Sequence, residues 1–500
     1  MPAPCQPQVQ PGRFGYPNDM VSRTLEIERK YEMPKAAELP QVPGTVRHGP
    51  DELVLDAIYH DTADLRLARA GITLRRRTGG EDAGWHLKLG VDTEHRTELR
   101  EPLRKKLPES LAEAVRGYTR GAALAPVAHI RTHRQRWTLS GKSGRALAEV
   151  VVDDVSAQTL GESATLMGWR EVEVELLGGD PGLLDRIGSA LAEAGIERSS
   201  APAKLTRVLG DRLPTRVIRK PKTAGEVVLA YLRAQVATIA AQDVRVRLSE
   251  EDSVHQMRVA TRRARSALQA FRKVVPGQRV LIGELRWLGA VLGESRDREV
   301  LLERFTEQVS ALPDELVLGG VRGRLTEHFT SRPPELAGDR YFALRDALDR
   351  LVADPPTPPL AGRPAAKVLI PLVRKAWRRV ERARRGGDKS LHDVRKAAKR
   401  FRYAAETVVP AVGKPAEKSV RRAKSVQKLL GEHQDTVAAR GELRTLGVQA
   451  HLGGDNGFTY GLLHAAEAQR AEQVEAEFPA VWRKAAKPKR LRWLKRGELS

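Results

Sequence analysis

The sequence predicts an α+β chain in two unlike parts, strand-rich up to about residue 210 and all-helical beyond it. Three observations carry this. Segments of the first part alternate charged and apolar residues at the two-residue period of a β-strand. The second part contains a duplicated segment with helical periodicity. The charge balance changes where one part gives way to the other.

The first alternating segment is Leu25 to Tyr31, LEIERKY, with Glu26, Glu28 and Lys30 on one face and Leu25, Ile27, Arg29 and Tyr31 on the other. EVEVEL repeats the pattern, setting Glu171, Glu173 and Glu175 against Val172, Val174 and Leu176. Arg75 shares a face with Arg77, and His86 with Lys88; Arg96 with Glu98, and Glu149 with Val151 and Asp153, continue the series. Arg131 and Arg134 add basic groups that are expected to reach the same place, and Pro181–Gly195 has the apolar spacing of an outer helix. Two arrangements fit such strands. Either the apolar faces point inward beneath a dense surface of both signs, or the sheet closes on itself and the charges line a tunnel. Buried ions cost several kcal/mol each unless they are satisfied, so a charged tunnel is a poor core and a good polyanion site. In it, carboxylates suit a hard cation such as Mg²⁺, and Arg and Lys suit phosphate oxygens.

The 500 residues, 41% hydrophobic and 30% charged, suit several domains with ample core. No run approaches 18 apolar residues, so no membrane partner is expected. Residues 1–22 read as a disordered tail, within which Met20 offers an alternative start. The single cysteine, Cys5, lies in that tail, excludes internal disulfides and suits a reducing cytoplasm. Residues 1–210 hold 29 basic and 29 acidic side chains, leaving 57 basic and 34 acidic in the rest, which therefore carries the whole net charge of +23. The expected domains are 23–210 and 223–500, joined by a linker at 211–222.

The second part contains SVHQMRVATRRARSALQAFR from Ser253 and SLHDVRKAAKRFRYAAETVV from Ser390, each followed by an LGE-x-x-D segment at matching distance, ending at Asp297 and Asp435. The copies span about 223–354 and 365–500, with the Pro-rich Asp354–Pro364 between them. On a helix, His255, Arg258, Arg262 and Arg265 form one stripe, as do His392, Arg395, Lys399 and Arg402. Met257, Ala260, Ala264, Leu268 and Phe271, with Val394, Ala397, Phe401 and Ala405, form the seam behind the stripes. Like charges at i, i+4 repel, and acids are almost absent from both stripes, which favours a bound polyanion over a solvated face.

The ordered set of Glu26-x-Glu28-x-Lys30, the LRxR of Leu74, Arg75 and Arg77, Leu87–Lys88, Arg96-x-Glu98 and EVEVE resembles a CYTH domain of the triphosphate tunnel metalloenzymes, over about residues 23–210. The paired His/Arg helices resemble a CHAD domain. The first resemblance implies an eight-stranded antiparallel β tunnel with flanking helices. It also implies a metal-dependent triphosphatase acting on inorganic triphosphate with Mg²⁺ or Mn²⁺. Glu26, Glu28, Glu173, Glu175 and Asp153 would then serve the metal, Arg75, Arg77, Lys88, Arg96, Arg131 and Arg134 the substrate, and Glu26, Glu28, Lys30 and Lys204 the catalysis. Lys204 stands where the family carries its last tunnel lysine, although Ala203 replaces the usual serine before it. The second resemblance implies two helical-bundle halves whose stripes bind inorganic polyphosphate, placing the chain in the cytoplasm at polyphosphate granules.

Nucleic acid is the less favoured polyanion, because single-stranded grooves add aromatic platforms and aromatics make up only 5% of this chain. A non-catalytic polyphosphate adaptor and a nucleoside or thiamine triphosphatase remain alternatives at this level.

Overall fold

The structure, a computed structural model, describes residues 22–90, 95–161, 164–214, 219–330, 334–386 and 391–498. The expected tail up to Val21, with Cys5 and Met20, and the middle of the expected linker lie outside the described residues, as do the side chains of Leu25 and Arg96, while Ser22, expected in the tail, opens the first strand. The chain divides between residues 216 and 217 into two units.

In the first unit, β1 (Ser22–Glu32), β2 (Val46–Asp61), β3 (Thr73–Thr78), β4 (Gly84–Gly90), β5 (His95–Pro102), β6 (Ala125–Ser140), β7 (Ala146–Thr159) and β8 (Leu166–Leu176) form one antiparallel sheet in the order β5-β4-β3-β2-β6-β7-β8-β1. It closes because β1 divides its register, with Ser22–Ile27 against β5 and Glu28–Glu32 against β8. The ring is the expected eight-stranded tunnel. A two-residue β9 (Glu197–Arg198) adds to the outside of β1. Short helices α1 (Arg66–Arg69), α2 (Glu109–Ala114) and α3 (Arg116–Thr119) fill the β2–β3 and β5–β6 connections.

Closure decides between the two arrangements. Val150, Val152, Val172 and Val174 point outward and are buried under α4 (Pro181–Glu193), which covers them with Leu183, Leu184, Ile187 and Leu191. Fully burying each such side chain is worth about 1.5–3 kcal/mol, so this outer layer is a main support of the barrel. Arg29, on the same outer face, donates to Asp185 of α4 at 2.7 Å. At one end of the ring α5 (Lys204–Leu209) places Leu205, Val208 and Leu209 against the inward-facing Ala57, Tyr59, Ile130, Val155 and Ala157, and stops that end.

The second unit is helical: α6 (Ala224–Arg247), α7 (Ser253–Ala270), α8 (Arg279–Ser310), α9 (Val321–Phe329), α10 (Asp339–Ala353), α11 (Ala365–Arg385), α12 (Leu391–Thr407), α13 (Val409–Val412), α14 (Lys414–Leu452), α15 (Phe458–Ala485) and α16 (Pro488–Leu491). A capping box starts α6: Thr223 Oγ1 accepts from the Glu226 amide at 3.3 Å, and Glu226 Oε2 accepts from the Thr223 amide at 2.9 Å. By length and composition α6 could cross a membrane, yet 56% of its apolar window is buried within the protein. The repeat forms α7 and α12, and its LGE-x-x-D segments lie on α8 and α14. The seam residues are buried as expected, except that Ala397 is half-buried and Ala398 takes the inner position.

Candidate functional site

Alternation on each strand, once the ring closes, carries the charges inward, and the strand registers sort them along the tunnel. Nearest the stopped end, the Lys204 ammonium lies 2.8 Å from Asp153, 2.7 Å from Glu171 and 2.8 Å from Glu173. Lys204 can reach them because it is the first residue of α5. Burial alone would lower its pKa, but the three carboxylates raise it well above the ordinary lysine value. Asp153 also takes a bidentate pair from Arg134, at 2.8 and 2.7 Å, and Glu173 accepts from Arg134 at 3.0 Å and from Lys30. These carboxylates are thus already saturated with cations.

Further toward the open end, Lys88 donates to Glu26 at 2.6 Å and lies 3.6 Å from Glu98. Arg75 donates to the Tyr59 hydroxyl at 3.2 Å. Glu98 is wholly buried; burial raises its pKa, but the His86 hydrogen bond and the charges of Lys88 and Arg75 hold it far below the carboxylate range. His86 is pushed down to about 4, chiefly by burial. Arg77, buried beside Arg75 and Arg134, is lowered to about 9, again chiefly by burial.

A third group is acidic and undercompensated. Glu149 of β7, Glu175 of β8 and Glu28 of β1 stand in one cross-strand row, where like charges directly opposite destabilise. Glu175 is pushed up to about 7, first by burial and then by Glu26, with Glu149 and Glu28 contributing. Burial likewise raises Glu149. Among the described residues no Lys or Arg lies within salt-bridge distance of Glu149 or Glu175. Carboxylates are the donor groups that a hard divalent cation takes, and Glu28 of this row also lies 3.6 Å from Lys30. Asp153, Glu171 and Glu173 also bring ligand oxygens within 4.8 Å of one another and could hold a metal ion, but there the Lys204 ammonium stands in the cation's place.

The expected tunnel residues Glu26, Glu28, Lys30, Arg75, Arg77, Lys88, Arg134, Asp153, Glu173, Glu175 and Lys204 are therefore brought together. Arg96 cannot be placed, since its side chain lies outside the described residues. Arg131 is not brought to the tunnel: it lies on the outer face, 65% exposed, and donates to Asp56 at 2.8 Å. The reason is parity, because residues three apart on one strand face opposite sides. Sequence reasoning left Glu171, His86, Glu98, Arg100 and Tyr59 out of the site. Glu171, His86 and Glu98 belong to alternating runs already read as charged faces, and Arg100 continues the parity of Arg96 and Glu98, so parity could have found these four.

In the helical unit, the stripes on α7 and α12 converge. Arg258 donates to Asp297 at 2.7 and 3.3 Å, and His392 Nδ1 lies 2.5 Å from Gln434 Oε1. Arg402 is 8% exposed and stacks over Tyr403, its guanidinium carbon 4.5 Å from the ring centre. Lys399 is lowered to about 7, first by burial and then by Arg395, Arg262, Arg258 and Arg402. Burial also lowers His255, Arg262 and Arg265. Among the described residues, the Nε atoms of Arg262, Arg395 and Arg402 are buried with no hydrogen-bond partner, which for charged donors is costly.

Comparison with known proteins agrees with both halves. Residues 24–209 match the CYTH domain family and residues 230–444 the CHAD domain family. The chain is 38% identical to an uncharacterized protein found in two strains of Mycobacterium tuberculosis, over 93% of this chain and 96% of the relative. Among solved structures, PptA from Streptomyces chartreusis is 19% identical with a TM-score of 0.43, covering 52% of this chain and 99% of its own. The CHAD domain from the plant Ricinus communis is 25% identical with a TM-score of 0.41, covering 57% of this chain and 94% of its own. The chain belongs to the family of proteins that carry a CYTH domain followed by a CHAD domain.

Proposed function

We propose that the tunnel hydrolyses inorganic triphosphate with Mg²⁺ or Mn²⁺, and that the helical unit binds inorganic polyphosphate. Membership of the CYTH family supports a function directed at triphosphates. The observation that carries the finer reading is the separation, inside one tube, of Glu149 and Glu175, which have no Lys or Arg at salt-bridge distance among the described residues, from cations already facing inward.

In this reading Arg75, Arg77, Lys88 and Arg134 clamp the phosphate oxygens. Lys204 and Lys30 hold Asp153, Glu171 and Glu173 in place and add positive charge at the stopped end. Glu26, Glu28, Glu149 and Glu175 hold the cation, and Glu175 gives up its proton when it does. The bound cation supplies charge neutralisation on the phosphates and a polarised water. Phosphoryl transfer needs mainly position and charge stabilisation, which the remaining residues supply without a side-chain nucleophile. In the helical unit, the unpartnered guanidinium Nε atoms and the depressed Lys399 both call for an anion. Phosphate oxygens supply acceptors to each.

The test is phosphate release from tripolyphosphate with and without Mg²⁺ or Mn²⁺. Glu28→Gln and Glu175→Gln are each expected to lower metal-dependent turnover by about 100-fold or more. A chain that binds polyphosphate and releases no phosphate from any triphosphate is an adaptor, and wild-type turnover in both variants removes the assigned cation site.

A further inference from the structure

The turn between β3 and β4 lies at the end of these strands away from α5 and brings two acids near arginines on three different strands. Asp82 pairs with Arg77 of β3 and lies 3.8 Å from Arg100 of β5, which Glu98 and Glu26 hold more closely; Glu81 lies 3.6 Å from Arg136 of β6, which pairs with Asp51 at 3.1 Å. The turn is held in position by its backbone: the Asp82 carbonyl lies 2.9 Å from His86 Nε2. Gly79 and Gly80 both adopt positive φ, +80° and +73°, and a Cβ at Gly79 would lie 2.1 Å from the Val54 carbonyl oxygen. Only glycine lets the chain double back this close to β2.

These acids differ in kind from those deeper in the tube. Asp153, Glu171 and Glu173 are fixed on strands and buried, whereas the Glu81 and Asp82 side chains are 82% and 38% exposed, on a turn. Arg77 by contrast is 7% exposed and sits among other guanidinium groups, so it needs an anion whether or not substrate is present. Asp82 is the anion that the chain itself supplies.

We infer that Asp82, with Glu81 beside it, forms a displaceable acidic latch on Arg77, which a polyphosphate chain must take over, so that this turn sets the least anionic ligand that the tunnel admits. The inference rests on the triphosphate reading. A tripolyphosphate brings enough charge to replace both carboxylates, while pyrophosphate and orthophosphate have less to offer against the same contacts.

The experiment is equilibrium titration of the full-length protein with tripolyphosphate and with pyrophosphate, at low salt without divalent cation, for wild type, Asp82→Asn and Glu81→Gln. Asp82→Asn is expected to tighten tripolyphosphate binding by about 3- to 10-fold and pyrophosphate by at least as much, which is of the order of one charge pair removed. Glu81→Gln acts in the same direction and more weakly, because its contact is longer and more exposed. Steady-state rates should follow as a lower KM with little change in kcat. Unchanged or weaker binding in both variants overturns the latch and leaves Asp82 as a simple support for Arg77. If wild type releases no phosphate, the triphosphatase reading falls, while the titration still decides whether the latch exists.

Discussion

The two units handle buried charge in opposite ways. The tunnel carries both signs, and most of its cations face a carboxylate at hydrogen-bond distance, as Arg134 faces Asp153 and Lys88 faces Glu26. The helical groove is nearly all of one sign: Lys399 is surrounded by arginines, which together with burial lower it to about 7. A compensated site can be preorganised without its ligand, because internal partners hold each side chain. An uncompensated site is stressed until a polyanion arrives, and that stress is a source of affinity. Position is what a reaction needs, and affinity is what a tether needs.

Reversing charge in the groove should separate the units most sharply. Arg262→Glu with Lys399→Glu is expected to weaken polyphosphate binding by about 100-fold or more, with tripolyphosphate turnover in the tunnel unchanged. An equal loss in both assays would merge the two sites into one. Salt gives a smaller contrast. Polyphosphate affinity should fall by roughly 0.7 log unit per log unit of salt for each phosphate engaged, while triphosphate binding in the compensated tunnel should respond less steeply. Equal slopes, from titrations over a range of salt, would remove the distinction.

Titration gives the smallest effect, and one of opposite sign in the two units. Glu175 holds its proton in the folded protein up to about pH 7, whereas the unfolded chain releases it near 4.5, so the folded state binds more protons and stability falls as pH rises through that window. Lys399 loses its proton near pH 7 when folded and near 10.5 when unfolded, so stability rises with pH across that window. Each trend is limited to about 1.4 kcal/mol per pH unit. Mg²⁺ or Mn²⁺ should raise the melting temperature of the tunnel unit by a few degrees at pH 8 and by less at pH 6, and Glu175→Gln should abolish the difference. Calorimetric scans with and without the cation measure both.

Much of this was legible from periodicity. The alternation in LEIERKY and EVEVEL gave the charged faces, and the duplicated His/Arg segments gave both stripes before any helix was seen. What could not be read was closure. Whether Glu26 faces water or a tunnel depends on β1 pairing with both β5 and β8, a long-range fact that no local pattern encodes. Compensation was equally hidden, since Asp153 belongs to Arg134 and Lys204 only once three distant segments meet. Arg131 shows the opposite failure, a local rule that was available and not applied. Glu81 and Asp82 carried no pattern at all, because a turn has no period.

The short helix that begins at Lys204 has a consequence for traffic. A pipe corked at its base has one doorway, so anything entering must back out past whatever comes next. On the proposed reading, a long polymer would offer only its tip to such a cul-de-sac, and each severed fragment would leave by the entrance.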